Sequence, residues 1–183
     1  MKRIILLGPQ GSGKGTQANI LSERFNIPAL SMGQLLRDEI AAETELGNKA
    51  ASFMNDGLLV PDEVTTAVLK GRLEAEDAIN GFILDGYPRF MEQYEVSKAF
   101  LNPDVVLVVN VPKEESLKRI LKRAELEGRV DDTPEKIETR LTWSEEKTKP
   151  VIAEYEKQGI ARMIDGVGSV EEIAARIEAA LNE

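Results

Sequence analysis

The sequence contains no cysteine and no histidine. Disulfides, thiolate nucleophiles, imidazole acid-base chemistry and the usual zinc clusters are therefore excluded. Any catalysis must rest on lysine, arginine and aspartate side chains and on backbone amides. A bound Mg²⁺ is the one further source of chemistry that this inventory leaves open.

Long apolar runs and excess positive charge are also missing. The first apolar run, Ile4 to Leu7, is too short for a signal-peptide core or a membrane span. With 23 basic and 32 acidic residues the net charge is −9, which disfavours broad binding to nucleic acid or to anionic membranes. We expect a cytoplasmic protein with no membrane and no nucleic-acid partner, whose phosphate ligands are held by local positive groups.

What the sequence does contain is typical of one globular domain of 183 residues, 42% of them hydrophobic. Short apolar runs alternate with longer amphipathic stretches, a pattern that predicts βαβ units around a parallel sheet. The expected strands follow in chain order: 4–7, 28–31, 82–85, 105–111 and 162–165. The run 105–109 is continuously apolar, which indicates a central strand covered on both faces.

Helical periodicity fills the gaps between these runs. Ala18, Leu21 and Phe25 form one stripe, and Ile173, Ile177 and Leu181 form another near the C-terminus. A third stripe contains Leu117, Ile120, Leu121 and Ala124. Arg119 and Arg123 lie four residues apart on a face that we expect to turn away from this third stripe.

A glycine-rich segment, GPQGSGKGT at 8–16, directly follows the first predicted strand and precedes a helical pattern. This is the setting of a phosphate-binding loop, in which backbone N–H groups and Lys14 hold phosphate oxygens and the Thr16 hydroxyl reaches Mg²⁺ or a phosphate. A dinucleotide-binding GxGxxG loop and a merely structural glycine turn are the weaker alternatives, because Lys14 lies inside the loop and Thr16 replaces the last glycine.

The GxxGxGKGT form resembles the loop of nucleoside monophosphate kinases, and further segments resemble the adenylate kinases with a short lid. The segment at 31–37 is similar to the family's TGDxLR, with Ser31 in place of threonine, and 85–89 reads DGYPR. Gln93 follows Arg89 by four residues. Arg123, Arg129, the acidic pair at 131–132 and Arg140 resemble the family's lid arginines.

This resemblance implies a P-loop NTPase-type α/β fold, a three-layer α/β/α arrangement with a five-stranded parallel sheet. Residues 1–183 would form a single kinase unit with a core, a monophosphate-binding arm at 31–60 and a short lid at 123–129. Only five residues separate Arg123 from Arg129, so the long lid insertion and its possible zinc site are absent. The implied cofactor is Mg²⁺ with ATP and no zinc, and the implied oligomeric state is a monomer.

The resemblance also implies two nucleotide sites. The catalytic set would be Lys14, Arg89, Arg123, Arg129 and Arg140. The ATP site would comprise Gly11, Ser12, Gly13, Lys14, Gly15, Thr16, Arg119, Arg123 and the backbone at Gly168. The AMP site would comprise Ser31, Gly33, Arg37, Leu58, Leu59, Val60, Gly86, Tyr87, Arg89, Gln93, Arg129 and Arg140. Asp85 would hold the metal through water, together with Thr16.

The residues alone leave some alternatives open. Gln93 can read an adenine edge or lie on an exposed helix face, and Arg140 can reach solvent or face an anionic ligand in a cleft. The implied activity is MgATP + AMP ⇌ MgADP + ADP, and its nearest alternative is a kinase acting on UMP or CMP. A nucleotide-binding module without transferase activity is the other alternative, although Asn48-Lys49 continues as Ala50-Ala51 and not as a guanine-reading NKxD.

Overall fold

A computed structural model of the protein describes residues 2–56, 58–127, 137–138, 141–142 and 144–182, with the main chain alone at 123–127 and 144–145. Each of the five predicted apolar runs is a strand, and the observed bounds differ from the expected ones by two residues at most. The strands are β1 (Lys2–Leu7), β2 (Ala29–Ser31), β3 (Gly81–Asp85), β4 (Val105–Asn110) and β5 (Ala161–Asp165).

The five strands form one parallel sheet in the order β2-β3-β1-β4-β5. The first strand lies in the middle, so the chain crosses to one side of it for β2 and β3 and to the other side for β4 and β5. In open α/β sheets such a reversal leaves a crevice at the carboxyl ends of the strands, where ligands bind. Leu6 is in register with Asp85, which brings the glycine-rich segment and the DGYPR segment to this same edge.

Helices connect the strands and cover the sheet. The described α-helices are α1 (Lys14–Phe25), α2 (Met32–Ala41), α3 (Glu45–Asn55), α4 (Asp62–Leu73), α5 (Met91–Ser97), α6 (Lys113–Glu127), α7 (Lys149–Lys157) and α8 (Val170–Leu181). A π-helical turn, Ser144–Thr148, leads directly into α7. None of the helices within the described part of the chain has the length and apolar content needed to cross a membrane.

The hydrophobic core is split by the sheet into two layers, because successive side chains of a strand point to opposite faces. Ile4 and Leu6 of β1 pack in the layer that contains α1 and α8. Ile5 and Leu7 pack in the layer that contains α2, α3, α4, α5 and α7. Residues 106–109 of β4 have no exposed surface, as expected for a central strand. The three-layer α/β/α prediction is confirmed.

In helix α6 the predicted apolar stripe is wrong at Leu117 and Leu121, although Ile120 is buried as expected. Leu117 and Leu121 are 39% and 41% exposed, whereas Ser116 and Ile120 are fully buried. The inward face of α6 lies against the glycine-rich segment, where a Cβ at Gly11 would come within 2.6 Å of the Ser116 carbonyl oxygen. The main chain of the glycine-rich segment thus packs closely against the main chain of α6 at Ser116 and against the side chain of Ile120.

Candidate active site

A large cavity opens at the carboxyl edge of the sheet, with a volume of about 940 Å³. This is near the upper end of the range of about 300–1,000 Å³ usual for small-molecule sites, so it has room for more than one compact ligand. The cavity brings together segments far apart in sequence. Its walls include Gly11, Gly13, Lys14, Gly15, Thr16, Ser31, Gly33, Arg37, Leu58, Leu59, Val60, Asp85, Gly86, Tyr87, Arg89, Gln93 and Arg119.

The glycine-rich segment at 8–16 connects β1 to α1 and forms one end of the cavity. Gly11 has a φ of +78°, and a Cβ there would lie 2.9 Å from Cγ1 of Ile120, so this position requires glycine. Gly13 is the N-cap of α1 and has no side-chain cap. The first N–H groups of α1 are therefore directed toward the cavity, as in an anion-binding helix N-terminus.

Two cationic side chains stand at this end. The ammonium of Lys14 donates to the carbonyl oxygens of Gly8 at 2.9 Å and Pro9 at 2.6 Å, and to Oγ of Ser12 at 3.2 Å. The guanidinium of Arg119 donates to Glu115 at 2.6 Å and lies over Gly13, with Nη1 3.8 Å from where a Cβ would be. Ser12 is fully buried and does not line the cavity.

Asp85 ends β3 at the middle of the cavity. One of its carboxylate oxygens is 3.8 Å from the Cβ position of Gly15, in the first turn of α1. Thr16 lines the cavity one residue further along. Carboxylate and hydroxyl oxygens are the ligands that Mg²⁺ accepts, and Mg²⁺ usually keeps several waters beside one or two protein ligands. Among the described residues no group of three acidic side chains forms a complete metal cage.

Two arginines line the part of the cavity that follows β2 and β3, which we call the monophosphate end. Arg37, on α2, donates through Nε and Nη2 to Oε1 of Gln34, and its guanidinium lies against Gly33. Arg89 donates through Nε to the carbonyl oxygen of Gly86 at 2.8 Å. Gly86 has a φ of +88°, and a Cβ there would be 2.9 Å from Nη2 of Arg89. Glycine at 86 therefore lets the guanidinium fold back over the turn.

Gln93 is 3% exposed, so an exposed helix face is not its environment. Its Oε1 accepts the Arg89 main-chain N–H at 2.8 Å, and its Nε2 donates to Oδ1 of Asp62 at 2.8 Å. The side chain nevertheless lines the cavity beside Leu59 and Val60. An amide with its two ends held in this way presents a fixed polar edge to a ligand.

Tyr87 also lines this end, but its ring is fully buried in the core. Its hydroxyl is hydrogen-bonded to Oγ1 of Thr66 at 3.0 Å. Burial raises the pKa of the Tyr87 phenol, and the Thr66 hydroxyl partly offsets that effect. The phenol is therefore engaged in the core and not exposed to solvent in the cavity.

Gly168 does not line the cavity as it stands. It belongs to a loop that follows β5 and begins beside the end of β4, where the N–H of Gly166 donates to the carbonyl oxygen of Asn110 at 2.7 Å. Two side chains hold this loop. Arg176 of α8 donates to the carbonyl oxygens of Asp165 and Val167, and Gln17 of α1 donates to that of Val170 at 3.0 Å.

The side chains of the three predicted lid arginines, Arg123, Arg129 and Arg140, lie outside the described part of the structure. Arg129 and Arg140 lie outside the described residues, as do the acidic residues at 131 and 132. Arg123 is in the last turns of α6, where the main chain alone is described. Their roles stay predictions.

Several residues that support the site had no assigned role in the sequence. Four side chains hold groups of the site: those of Asp62, Thr148, Gln17 and Arg176. The first three bond to residues between 31 and 153 positions away in the sequence, and Arg176 bonds to the loop that precedes its own helix. Thr148 donates through Oγ1 to the carbonyl oxygen of Arg89 at 3.1 Å. Asp62 had a detectable signal, an acidic residue at a helix start, whereas nothing in the pattern distinguishes Gln17 or Thr148.

The fold and the cavity define a class. The protein has a parallel sheet, a glycine-rich segment with a lysine between β1 and α1, and a cavity lined by cationic side chains. This is the architecture of a P-loop nucleotide-binding protein. The particular family follows from relatives. A family model described as adenylate kinase matches residues 6–160.

Curated relatives agree with that model along nearly the whole chain. An adenylate kinase of Kocuria rhizophila is 44% identical over 99% of this chain and 99% of its own length. One from Thermobifida fusca is 44% identical over 98% and 97%, and one from Leptospira biflexa is 46% identical over 97% and 98%. The chain belongs to the adenylate kinase family.

Proposed function

We propose that this protein is an ATP:AMP phosphotransferase that catalyses MgATP + AMP ⇌ MgADP + ADP and so serves nucleotide homeostasis. The observation that carries the proposal is one cavity with a phosphate loop at one end and two arginines beside a buried amide at the other. Two ends of this kind suit one triphosphate and one monophosphate. Membership of the family supports the same reaction.

The phosphate-loop end is proposed to bind ATP. The main chain of the loop would surround the phosphates, Lys14 would bridge their outer oxygens, and Arg119 would cover the nucleotide. We assign to this site Gly11, Ser12, Gly13, Lys14, Gly15, Thr16, Arg119, Arg123 and the backbone of Gly168. Because Gly168 does not line the cavity, the nucleotide would have to extend past the cavity to contact the Gly168 main chain.

The opposite end is proposed to bind AMP. Arg37 and Arg89 would hold the phosphate, the latter through a bidentate contact, while Gln93 would face the base. Leu58 is 53% exposed and lines the cavity, where it would make an apolar contact with a nucleoside. We assign to this site Ser31, Gly33, Arg37, Leu58, Leu59, Val60, Gly86, Tyr87, Arg89, Gln93, Arg129 and Arg140.

Mg²⁺ is the cofactor we propose, without zinc. The oxygen donors at the middle of the cavity fit it, with Asp85 acting through water and Thr16 nearby. When bound, Mg²⁺ would neutralise charge on the phosphates. The remaining positive charge would come from Lys14, Arg89, Arg123, Arg129 and Arg140, which we assign as the catalytic set.

No general base is needed for the transfer. A phosphomonoester has a second pKa near 6, so the attacking AMP phosphate is already ionised at neutral pH. Positioning and charge neutralisation then limit the rate. The lack of histidine and cysteine is therefore compatible with the reaction.

Water competes with AMP as acceptor, so the site must close before transfer. We propose that the arm at 31–60 and the short lid at 123–129 move over a core made by the rest of residues 1–183. We further propose a cytoplasmic monomer with ATP, ADP and AMP as its partners, and with neither nucleic acid nor membrane among them.

The test is ADP formation from ATP with AMP, GMP, UMP or CMP, with and without Mg²⁺. We expect AMP to be the preferred acceptor and activity to require Mg²⁺. A clear preference for UMP or CMP would assign the protein to pyrimidine monophosphates. Failure with all four would leave a nucleotide-binding module without transferase activity.

A further inference from the structure

The two ends of the Gln93 amide are bound to partners of opposite character. Its Oε1 faces the main-chain N–H of Arg89, and its Nε2 faces Oδ1 of Asp62, both at 2.8 Å. An amide side chain can be turned by 180° to exchange its oxygen and nitrogen. A main-chain N–H can only donate, however, and an ionised carboxylate can only accept. Turning the amide would oppose two donors at one end and two acceptors at the other.

Asp62 is itself well fixed and does not belong to the wall of the cavity. It is the first residue of α4, whose Val64, Val68 and Leu69 are buried in the core. It accepts the Gln93 hydrogen bond across 31 residues of sequence and is not among the residues that line the cavity. The carboxylate therefore acts on a ligand only through the amide.

A fixed amide distinguishes between purines that a freely turning one would accept equally. Adenine presents an amino donor at position 6 beside the acceptor N1, whereas hypoxanthine and guanine present an acceptor O6 beside N1–H. Each edge matches one orientation of the amide and opposes the other. An unmatched pair of buried polar groups is costly, which is how such sites reject the wrong base.

We propose that Asp62 is a specificity-determining residue of the monophosphate site, which acts by holding Gln93 in the orientation that accepts adenine. The proposal rests on the function proposed above, in which Gln93 faces the acceptor base. It concerns positioning, because Asp62 does not line the cavity and contacts Gln93 instead.

The experiment compares AMP with inosine monophosphate as acceptor at saturating MgATP. In Asp62→Ala we expect the ratio of kcat/KM for AMP to that for inosine monophosphate to fall about tenfold, the order expected for one hydrogen bond to a charged group. KM for ATP should be unchanged. Asp62→Asn keeps an acceptor oxygen in the same place and should retain most of the preference.

Glu63→Ala is the matched control. Glu63 is the next residue of the same helical turn and is exposed, so its loss changes the charge at the start of α4 but not the Gln93 contact. We expect its AMP preference to equal that of the wild type. Combining Asp62→Ala with Gln93→Met should give no further change beyond Gln93→Met alone, which a general structural effect would not reproduce.

The outcomes separate this inference from the proposed function. A wild type that does not phosphorylate AMP overturns the function, whereas an active wild type whose AMP preference survives Asp62→Ala overturns the role of Asp62. A fall of the same size in Glu63→Ala would also overturn it. If Asp62→Ala does not fold, Asp62→Ser tests the same point, because its hydroxyl ends one atom short of Gln93.

Discussion

The two ends of the cavity position their ligand-facing groups by different means. At the monophosphate end the group is a side chain, Gln93, and its neighbours Asp62 and Arg89 hold it from both sides. At the other end the expected base contact is a main-chain loop around Gly168, and Arg176 and Gln17 hold its carbonyl groups. Discrimination between bases should therefore be sharper at the first end than at the second.

The two ends also differ in where their positive charge comes from. The phosphate-loop end combines the N–H groups at the start of α1 with Lys14, whereas the monophosphate end relies on the guanidinium groups of Arg37 and Arg89. Backbone groups are in place before a ligand arrives. Long arginine side chains lose conformational freedom when they hold one.

The largest effect is expected from Lys14. We predict that Lys14→Ala lowers kcat by about 10²-fold or more, because it removes a fixed positive charge from the transferring phosphate. Binding of AMP, measured by calorimetry, should stay within about twofold of the wild type. Lys157→Ala is the control, because Lys157 is an exposed lysine that pairs with Glu154 on α7, and its kcat should not change. Equal losses in both variants would contradict the role of Lys14.

A smaller, one-sided effect is expected from Arg176. Arg176→Ala removes the two hydrogen bonds that Arg176 donates to the carbonyl oxygens of Asp165 and Val167, which loosens the loop at 166–168, although the N–H groups of Gly166 and Val167 keep their acceptors. We predict that KM for ATP rises about threefold to tenfold while KM for AMP is unchanged, since each lost hydrogen bond is worth about 1 kcal/mol and the remaining contacts keep part of the loop's shape. Steady-state kinetics with each substrate varied in turn measure both values.

Arg24→Ala is the control for this change. Arg24 of α1 pairs at 2.6 Å with Glu178, which lies on the same helix as Arg176, and it makes no hydrogen bond to the loop at 166–168 among the described contacts. We expect both KM values of Arg24→Ala to match those of the wild type. If Arg176→Ala raised KM for AMP as much as KM for ATP, the loop would not belong to the ATP end alone.

The fold could be predicted from the sequence because its signals are local. Each strand contains a short apolar run, and the loop at 8–16 has its own composition. The prediction for Leu117 and Leu121 is wrong because the spacing of apolar residues does not show which element a helix packs against. Helix α6 packs against the phosphate loop through Ser116 and Ile120.

The ligand-facing residues of the candidate site could be proposed from short motifs, but the residues that hold them could not. Asp62 and Gln93 are 31 residues apart, and Gln17 and Val170 are 153 apart. Such contacts depend on how the helices cross the sheet edge, which no local pattern encodes. Ser12 and Tyr87 illustrate the same limit, because their motifs could not show that both side chains are buried.

The most direct test of the two-ended site is calorimetric titration of Arg37→Ala and Arg119→Ala with AMP and with ATP in separate experiments. Arg37 lies at the monophosphate end and Arg119 at the phosphate-loop end of the cavity. We predict that Arg37→Ala weakens AMP binding about tenfold and leaves the Kd for ATP unchanged, and that Arg119→Ala does the reverse. If each substitution weakened both nucleotides equally, the cavity would not consist of two separate nucleotide sites.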